Sequence, residues 1–446
     1  MTAPARQQST PEVAAWSWLR AYRTELLVFA CSFIALACFS GPRFLRQSAA
    51  PHFVYQAKAL LEGRLALDPE TLPNLEDWAC VRDVGGVRTR CTGPVLRTDR
   101  WYVSFPAFPA VVMLPFVAIN GYQFNDTSFG VILGALAITL FYGLARALER
   151  RGELHRTEHE ALVLAGVLGF GTLLFSCAIR GEVWFLAEVL GVVLTCLYVR
   201  AAVGATRPVL AGVLWSMATL TRTPLVFTGL FFLLEVLTPG PTGRLQQLRE
   251  ALRNPRPWLK PVLLFAAGAA PLALLAAAFN WARFGSPGEF GHRFLYDNRV
   301  NADIDAHGLF SPVYLGRNLE AALLLLPRVQ WSPFRVGYDP RGLSLLVTMP
   351  WLVLLLFPKA RPRLHWPVWL TVAVCALPGL FYQNTGYMQF GFRFSLDYTP
   401  YLVLLLGLSG WSFRSALVRV LVGAAVLVNT WGALVFRGYT ELVRRM

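Results

Sequence analysis

Charge is scarce in this sequence. Lys, Arg, Asp and Glu make up 15% of its 446 residues while 55% are hydrophobic, and mean hydropathy is +0.47. A soluble domain carries about a quarter charged residues, so a water-soluble globule is excluded. Negative charge is the scarcer sign, with 26 Asp and Glu against 41 Lys and Arg and a net charge of +15. In a soluble domain that excess would suggest nucleic acid. Here much of it falls in short connections between apolar runs, as the positive-inside rule requires, and no nucleic-acid partner is expected. Internal repeats, low-complexity tracts and a separate soluble domain are also missing, which argues against repeat architectures. Met1 to Arg23 is polar, with Arg6, Arg20 and Arg23, and the run Thr24 to Ser40 has no clear small-residue cleavage site before Gly41. It reads as a retained first span rather than a signal peptide.

What is present in quantity is apolar runs near the length that crosses hydrocarbon. Backbone groups in lipid must be satisfied internally, so an all-α polytopic membrane protein is expected, a single transmembrane domain over 1–446. About eleven spans are expected: Thr24–Ser40, Ser128–Ala147, Ala161–Ile179, Val183–Val199, Pro208–Thr221, Pro224–Leu237, Pro261–Trp281, Gly342–Phe357, Trp366–Phe381, Thr399–Trp411 and Val418–Phe436. The basic clusters, among them Arg146/Arg150/Arg151, Arg244/Arg249/Arg253 and Lys359/Arg361/Arg363, then lie on the cytoplasmic side together with the N-terminus. Two outer loops are long, Gly41–Thr127 and Ala282–Arg341. Two are short, Arg180–Glu182 and Tyr382–Tyr398. Phe105 to Ile119 is apolar but holds Pro106, Pro109 and Pro115, and it reads as a juxtamembrane or re-entrant helix. Pro239–Lys260 suits a helix lying in the headgroup layer.

Cysteine is sparse outside the spans. Cys31, Cys38, Cys177, Cys196 and Cys375 fall in apolar runs, where a small buried thiol is the ordinary reading. Cys80 and Cys91 flank Val81–Arg90 with its Gly85-Gly86 turn signal, in a loop expected to face an oxidising compartment, so a disulfide-closed hairpin is expected. A metal site there would need further Cys or His at ligand spacing, and none is nearby; a divalent-metal requirement stays open.

The layout then resembles a known family. One span is followed by a long outer loop with the amphipathic segment PHFVYQAKALLEGRLAL, a later YVSFPAFPAVVMLP helix and the segment GFRFSLDYTPYL. Together these look like the GT-C superfamily of membrane glycosyltransferases, the protein mannosyltransferase and aminoarabinose transferase-like group. Ala57 to Gly63 is similar to that group's A-x-x-L-L-x-G motif and Phe105–Pro109 to its P-P helix, and Arg283 to Phe294 looks like an outer-loop motif of the group. The resemblance implies transfer of a sugar from a polyprenyl-phosphate donor at the outer face of the cytoplasmic membrane, with membrane lipid and lipid-linked sugar as partners. It also implies acidic residues at two places, which here hold Ala49 or Ala50 and Val103 or Ser104.

Such transfer needs a carboxylate to orient or deprotonate the acceptor and fixed cations to hold the departing phosphate, for which the arginine fork is well shaped. The candidate acids are Glu182, Asp99 and Asp126. Glu182, in a short turn at the membrane surface, is expected to be desolvated with raised proton affinity. Asp99 stands between Arg97 and Arg100 before the Pro-rich helix, where it is either a functional carboxylate or a charge-balanced loop residue, and Asp126 is either catalytic or a helix-start residue. The candidate substrate-binding residues are Arg222, Arg293, Arg393, Asp397, His52 and Tyr55. Arg393 and Asp397 at i,i+4 read equally as an ion pair on one helix face, and Arg222 as a snorkelling residue. Glu188, deeper in its span, reads as a partner for Arg180 or Arg222. A second class of function remains open: a lipid-linked substrate transporter or a non-catalytic relative. Matching halves with Gly/Pro-broken spans, which would favour transport, are not seen.

Overall fold

The computed structural model describes residues 22–73, 77–240, 243–332 and 334–443. The polar stretch with Arg6 and Arg20 lies outside them.

From the first described residues, α1 (Arg23–Ser40) leads to α2 (His52–Leu61), then to β1 (Trp78–Val84), β2 (Val87–Arg90) and β3 (Arg100–Val103), then to α3 (Phe108–Asn120) and α4 (Asp126–Arg150). Next come α5 (Glu158–Phe170), α6 (Leu174–Ala178), α7 (Val183–Ala202), α8 (Pro208–Thr219), α9 (Gly229–Leu237), α10 (Arg244–Arg253) and α11 (Arg256–Phe284). The second long loop holds α12 (Asn301–His307), α13 (Leu315–Leu323) and the hairpin of β4 (Arg328–Trp331) and β5 (Phe334–Gly337). The chain continues through α14 (Leu345–Thr348), α15 (Val353–Leu356), α16 (His365–Phe381), α17 (Thr399–Leu408) and α18 (Ala416–Val443).

The protein is therefore a mostly helical membrane protein, and the expected apolar spans contain helix, though not all of them as one unbroken segment. Among the described residues, α1, α4, α7, α11 and α18 are long and apolar enough to cross a membrane, and α3, α8, α9, α16 and α17 are shorter apolar helices. Three expected spans are broken. Ala161–Ile179 is interrupted at Gly171 between α5 and α6. Pro224–Leu237 starts as a 3-10 turn, Thr223–Thr228, and Gly342–Phe357 divides into α14, a 3-10 turn at Pro350–Leu352, and α15. Pro224 and Pro350 supply no backbone donor, and each stands in the first turn of its 3-10 segment, where that donor would be unpaired anyway. At 13 residues, α3 is about 20 Å long, too short for the ~30 Å of hydrocarbon, as the Pro-rich segment led us to expect. Gly212 of α8 faces the Phe265 carbonyl of α11, and Gly268 of α11 faces the Val209 carbonyl of α8; a Cβ at either would fall onto that backbone. Small residues thus let these two helices approach closely.

The all-α expectation needs one local correction, because the first long loop builds a three-stranded antiparallel sheet in the order β2-β1-β3. Gly85 (φ 61°) and Gly86 (φ 84°) make the two-residue turn with both central residues left-handed, and Val84 pairs with Val87 across it. Cys80 and Cys91 are joined by a disulfide with Cα atoms 5.4 Å apart. On the other side of β1, Trp78 stands opposite Val103 and Cys80 opposite Trp101. The second long loop docks on this sheet through a bridge between Ala79 and Leu295 and a bond from Tyr296 N to Trp78 O at 3.0 Å. The two long loops thus form one layer over the helix ends, which we call the loop face.

Candidate active site

Charge buried among apolar helices is costly unless paired, so the residues that carry it mark where the fold has been constrained. Glu188 lies inside α7 and is 1% exposed. Its Oε1 accepts from Arg393 Nε at 3.1 Å and lies 3.9 Å from Arg222 Nη1. Arg222 in turn clamps both oxygens of Asp397, at 2.9 and 2.7 Å, and Arg393 also donates to Gln389 Oε1 at 3.0 Å. Two arginines and two carboxylates therefore form one balanced, buried network. Phe394 faces both guanidinium groups, at 5.6 and 5.2 Å.

One turn earlier on the same face of α7, Trp184 donates from Nε1 to Asp77 Oδ2 at 2.8 Å. Asn298 Nδ2 donates to the other oxygen, Oδ1. Asp77 is held from behind as well, because Ser104 Oγ donates to its carbonyl at 2.7 Å and Trp78 is locked into the sheet. Its φ of 58° is left-handed, an uncommon conformation for a residue with a Cβ and one that clusters at functional sites. Among the described residues, the hydrogen bonds to the Asp77 carboxylate come from neutral side chains.

His292 faces the same place. Gly291, at φ 102°, brings the chain against Ser104, where a Cβ would strike the Ser104 backbone and the Phe284 ring. The His292 ring then stands edge-on to Phe105 at 5.4 Å and to Tyr382 at 6.2 Å. Burial pushes its pKa down to about 4, with Asp77 pulling it up and Arg222 pushing it further down, so both tiers of charge act on this imidazole. A histidine held neutral stabilises the fold fully above its unfolded pKa of about 6.5, and that contribution is lost as pH falls through about 4. Thermal melts should therefore show the wild type losing stability from pH 7 to pH 4.5, and His292→Gln losing measurably less. Equal losses would show that folding does not lower the pKa of His292.

The residues expected from sequence divide sharply. Arg222, Arg393 and Asp397 come together, but as the network above. Asp397 pairs with Arg222 and Arg393 pairs with Glu188, so the expected Arg393–Asp397 pair does not form. Arg222 is engaged rather than snorkelling. Glu182 is not the high-affinity base expected of it: burial would raise its carboxyl, but Arg180, at 3.0 and 2.5 Å, outweighs that and holds it below the usual range. That pair also removes Arg180 as a partner for Glu188. Both oxygens of Asp126 accept from Ser48, at 2.7 Å from N and 2.6 Å from Oγ, while Asn125 caps α4. Asp99 accepts from Arg82 at 2.8 and 2.7 Å and from Leu96 N at 2.7 Å; the Arg82 bonds hold it below its ordinary value. It closes the Cys80–Cys91 hairpin region. His52 is fully buried and stacked on Trp78 at 3.7 Å, and Tyr55 packs on Tyr122 at 4.7 Å, so both serve the loop layer. Arg293 has a side chain 65% exposed and 3.8 Å from Glu289. Cys80, Cys91 and Asp99 lie close enough to suggest a metal cluster, but the disulfide consumes the sulfurs and Arg82 the carboxylate.

Sequence reasoning did not single out Asp77 or His292. The available signal was indirect: one of the two places where the resemblance implies an acid, Val103/Ser104, lies at the end of the strand paired with the one that Asp77 precedes.

No family model matches the chain, and no curated protein does. Among solved structures, the chain is similar to ArnT from Cupriavidus metallidurans bound to undecaprenyl phosphate, at 11% identity over 95% of this chain and 78% of that one, TM-score 0.47. It is also similar to the Archaeoglobus fulgidus oligosaccharyltransferase in the apo form, at 12% identity over 94% of this chain and 56% of that one, TM-score 0.46. A third is the S. cerevisiae protein O-mannosyltransferase Pmt1-Pmt2 complex bound to the sugar donor, at 14% identity over 69% of this chain and 38% of that one, TM-score 0.34.

Proposed function

We propose that the chain is a divergent membrane glycosyltransferase of the GT-C type. In this reading it moves a sugar from a polyprenyl-phosphate donor to an acceptor at the outer face of the cytoplasmic membrane. The observation that carries the reading is Asp77, a carboxylate set between Trp184 and Asn298 beside His292, above a buried network of two arginines and two acids. Its strand register brings it next to Ser104, one of the places where the motif resemblance implies an acid. The Cys80–Cys91 disulfide supports an oxidising compartment for the loop face, and the basic connections support a cytoplasmic opposite face.

In this mechanism Asp77 orients the acceptor hydroxyl or amine and takes its proton as that atom bonds to the sugar's anomeric carbon. The bond from that carbon to the phosphate oxygen breaks, and the polyprenyl phosphate leaves with the electron pair. The tail stays in the bilayer, so the phosphate must lie at the membrane surface. Arg293, exposed on the same turn as His292, is the cation we assign to it. Arg222, Arg393, Glu188 and Asp397 act as positioning residues that fix α7 and the 393–397 turn.

Purified protein in nanodiscs, given a panel of radiolabelled polyprenyl-phosphate sugars and an envelope glycan extract, tests this. Transfer of label together with release of polyprenyl phosphate is expected. Movement of intact lipid-linked sugar across the bilayer, with no bond cleaved, would favour the transporter reading instead.

A further inference from the structure

The second long loop and the segment after α16 line a cavity of about 350 Å³, at the lower end of small-molecule sites. Arg299, Arg317, Arg341, Asp303 and Asp339 are among its lining residues, and the cations are in different states. Arg317 is paired with Asp303 at 2.8 Å, and Arg341 bridges Asp339 at 3.1 Å and Glu320 at 2.7 Å. Arg299 has no carboxylate partner among the described residues. Its Nη2 reaches Asn384 Oδ1 at 3.3 Å, and its guanidinium lies over the exposed Tyr387 ring at 4.6 Å. A second group points to a ligand: Gln383 is 2% exposed and lines the cavity, yet its Oε1 has no hydrogen-bond partner. A buried carbonyl oxygen left unmatched is costly, and a ligand hydroxyl would satisfy it.

Neighbouring residues of the chain link the cavity wall to the candidate active site. Asn298 donates to Asp77 and the next residue, Arg299, enters the cavity; Tyr382 faces His292 and the next residue, Gln383, lines the cavity. Resting on the reading that Asp77 activates the acceptor, we infer that this cavity is the acceptor subsite and takes an anionic sugar. A carboxylate or phosphate sits on Arg299, and a ring hydroxyl donates to Gln383 Oε1. The Arg299–Tyr387 stack and the Arg317–Asp303 pair form the walls.

Saturation-transfer NMR on the protein in nanodiscs, with glucuronate, glucose 6-phosphate and glucose as probes, tests this directly because it detects weak binding without any transfer. Signals are expected from both anionic sugars and not from glucose. Arg299→Gln should weaken binding at least tenfold, Gln383→Leu should weaken it too, and Arg335→Gln on the exposed hairpin should leave it unchanged. Should Arg299→Gln fail to fold, Tyr387→Ala removes the stacking platform alone and must weaken binding likewise. Equal signals from glucose, or undiminished binding in a folded Arg299→Gln protein, would overturn the subsite. Binding without transfer in the wild type would overturn the proposed function alone, whereas transfer without binding would overturn the subsite alone.

Discussion

Asp77→Asn should lower glycosyl transfer by about 10²- to 10⁴-fold, the contribution of a positioned general base. The substitution is close to isosteric, and the remaining carbonyl oxygen can still accept from Trp184 Nε1. Only the bond from Asn298 is lost, at a cost on the order of 1–3 kcal/mol. The loss of rate should therefore far exceed the loss of fold. Comparing initial rates and melting curves of wild type and variant, at matched insertion into nanodiscs, separates the two. A variant that transfers at the wild-type rate removes Asp77 from the chemistry.

The largest structural effect is expected at Glu188→Gln. The network then holds two guanidinium groups against one carboxylate, Asp397, which Arg222 already occupies at both oxygens. Arg393 would be left with Gln389 Oε1 as its chief acceptor, in a side chain that is 8% exposed. Breaking a buried ion pair by removing one partner costs roughly 3–5 kcal/mol, because the remaining charge stays desolvated. Replacing both charges is far cheaper, so Glu188→Leu combined with Arg393→Met should recover much of the stability lost by Glu188→Gln. Denaturant titration of the single and double variants measures this coupling. If the single variant is as stable as wild type, the network does not hold the helices together.

The sequence made most of the helices legible because composition and run length decide which segments can enter lipid, although three of the eleven apolar runs are broken in the structure. It was less informative wherever a side chain's partner came from a distant segment. Arg393 and Asp397 illustrate this. Spaced i,i+4, they suggested an ion pair on one helix face, but residues Arg393–Asp397 form a 3-10 turn with three residues per turn, where that spacing no longer aligns. Arg393 therefore meets Glu188, 205 positions away, and Asp397 meets Arg222, 175 away. Glu182 was misread for the opposite reason, since its neutralising partner stands two residues away in the same turn. Asp77 could not be found from linear spacing at all. The resemblance implies acids at Ala49/Ala50 and Val103/Ser104, and the antiparallel pairing of β1 with β3 sets Asp77 beside Ser104 from 27 positions upstream. The hairpin between Cys80 and Cys91 was readable because its turn glycines and its cysteines are local.

The central claim is that the reacting carboxylate is Asp77 and not the acids bound up in ion pairs or in serine contacts. The most direct test is one transfer assay run on four amide variants: Asp77→Asn, Glu182→Gln, Asp99→Asn and Asp126→Asn. Asp77→Asn should be at least a hundredfold slower than wild type per folded molecule, while the other three keep their rates within an order of magnitude once corrected for folded protein. Full activity in Asp77→Asn, with loss in any one of the other three, would contradict the account and return the chemistry to the residue that failed.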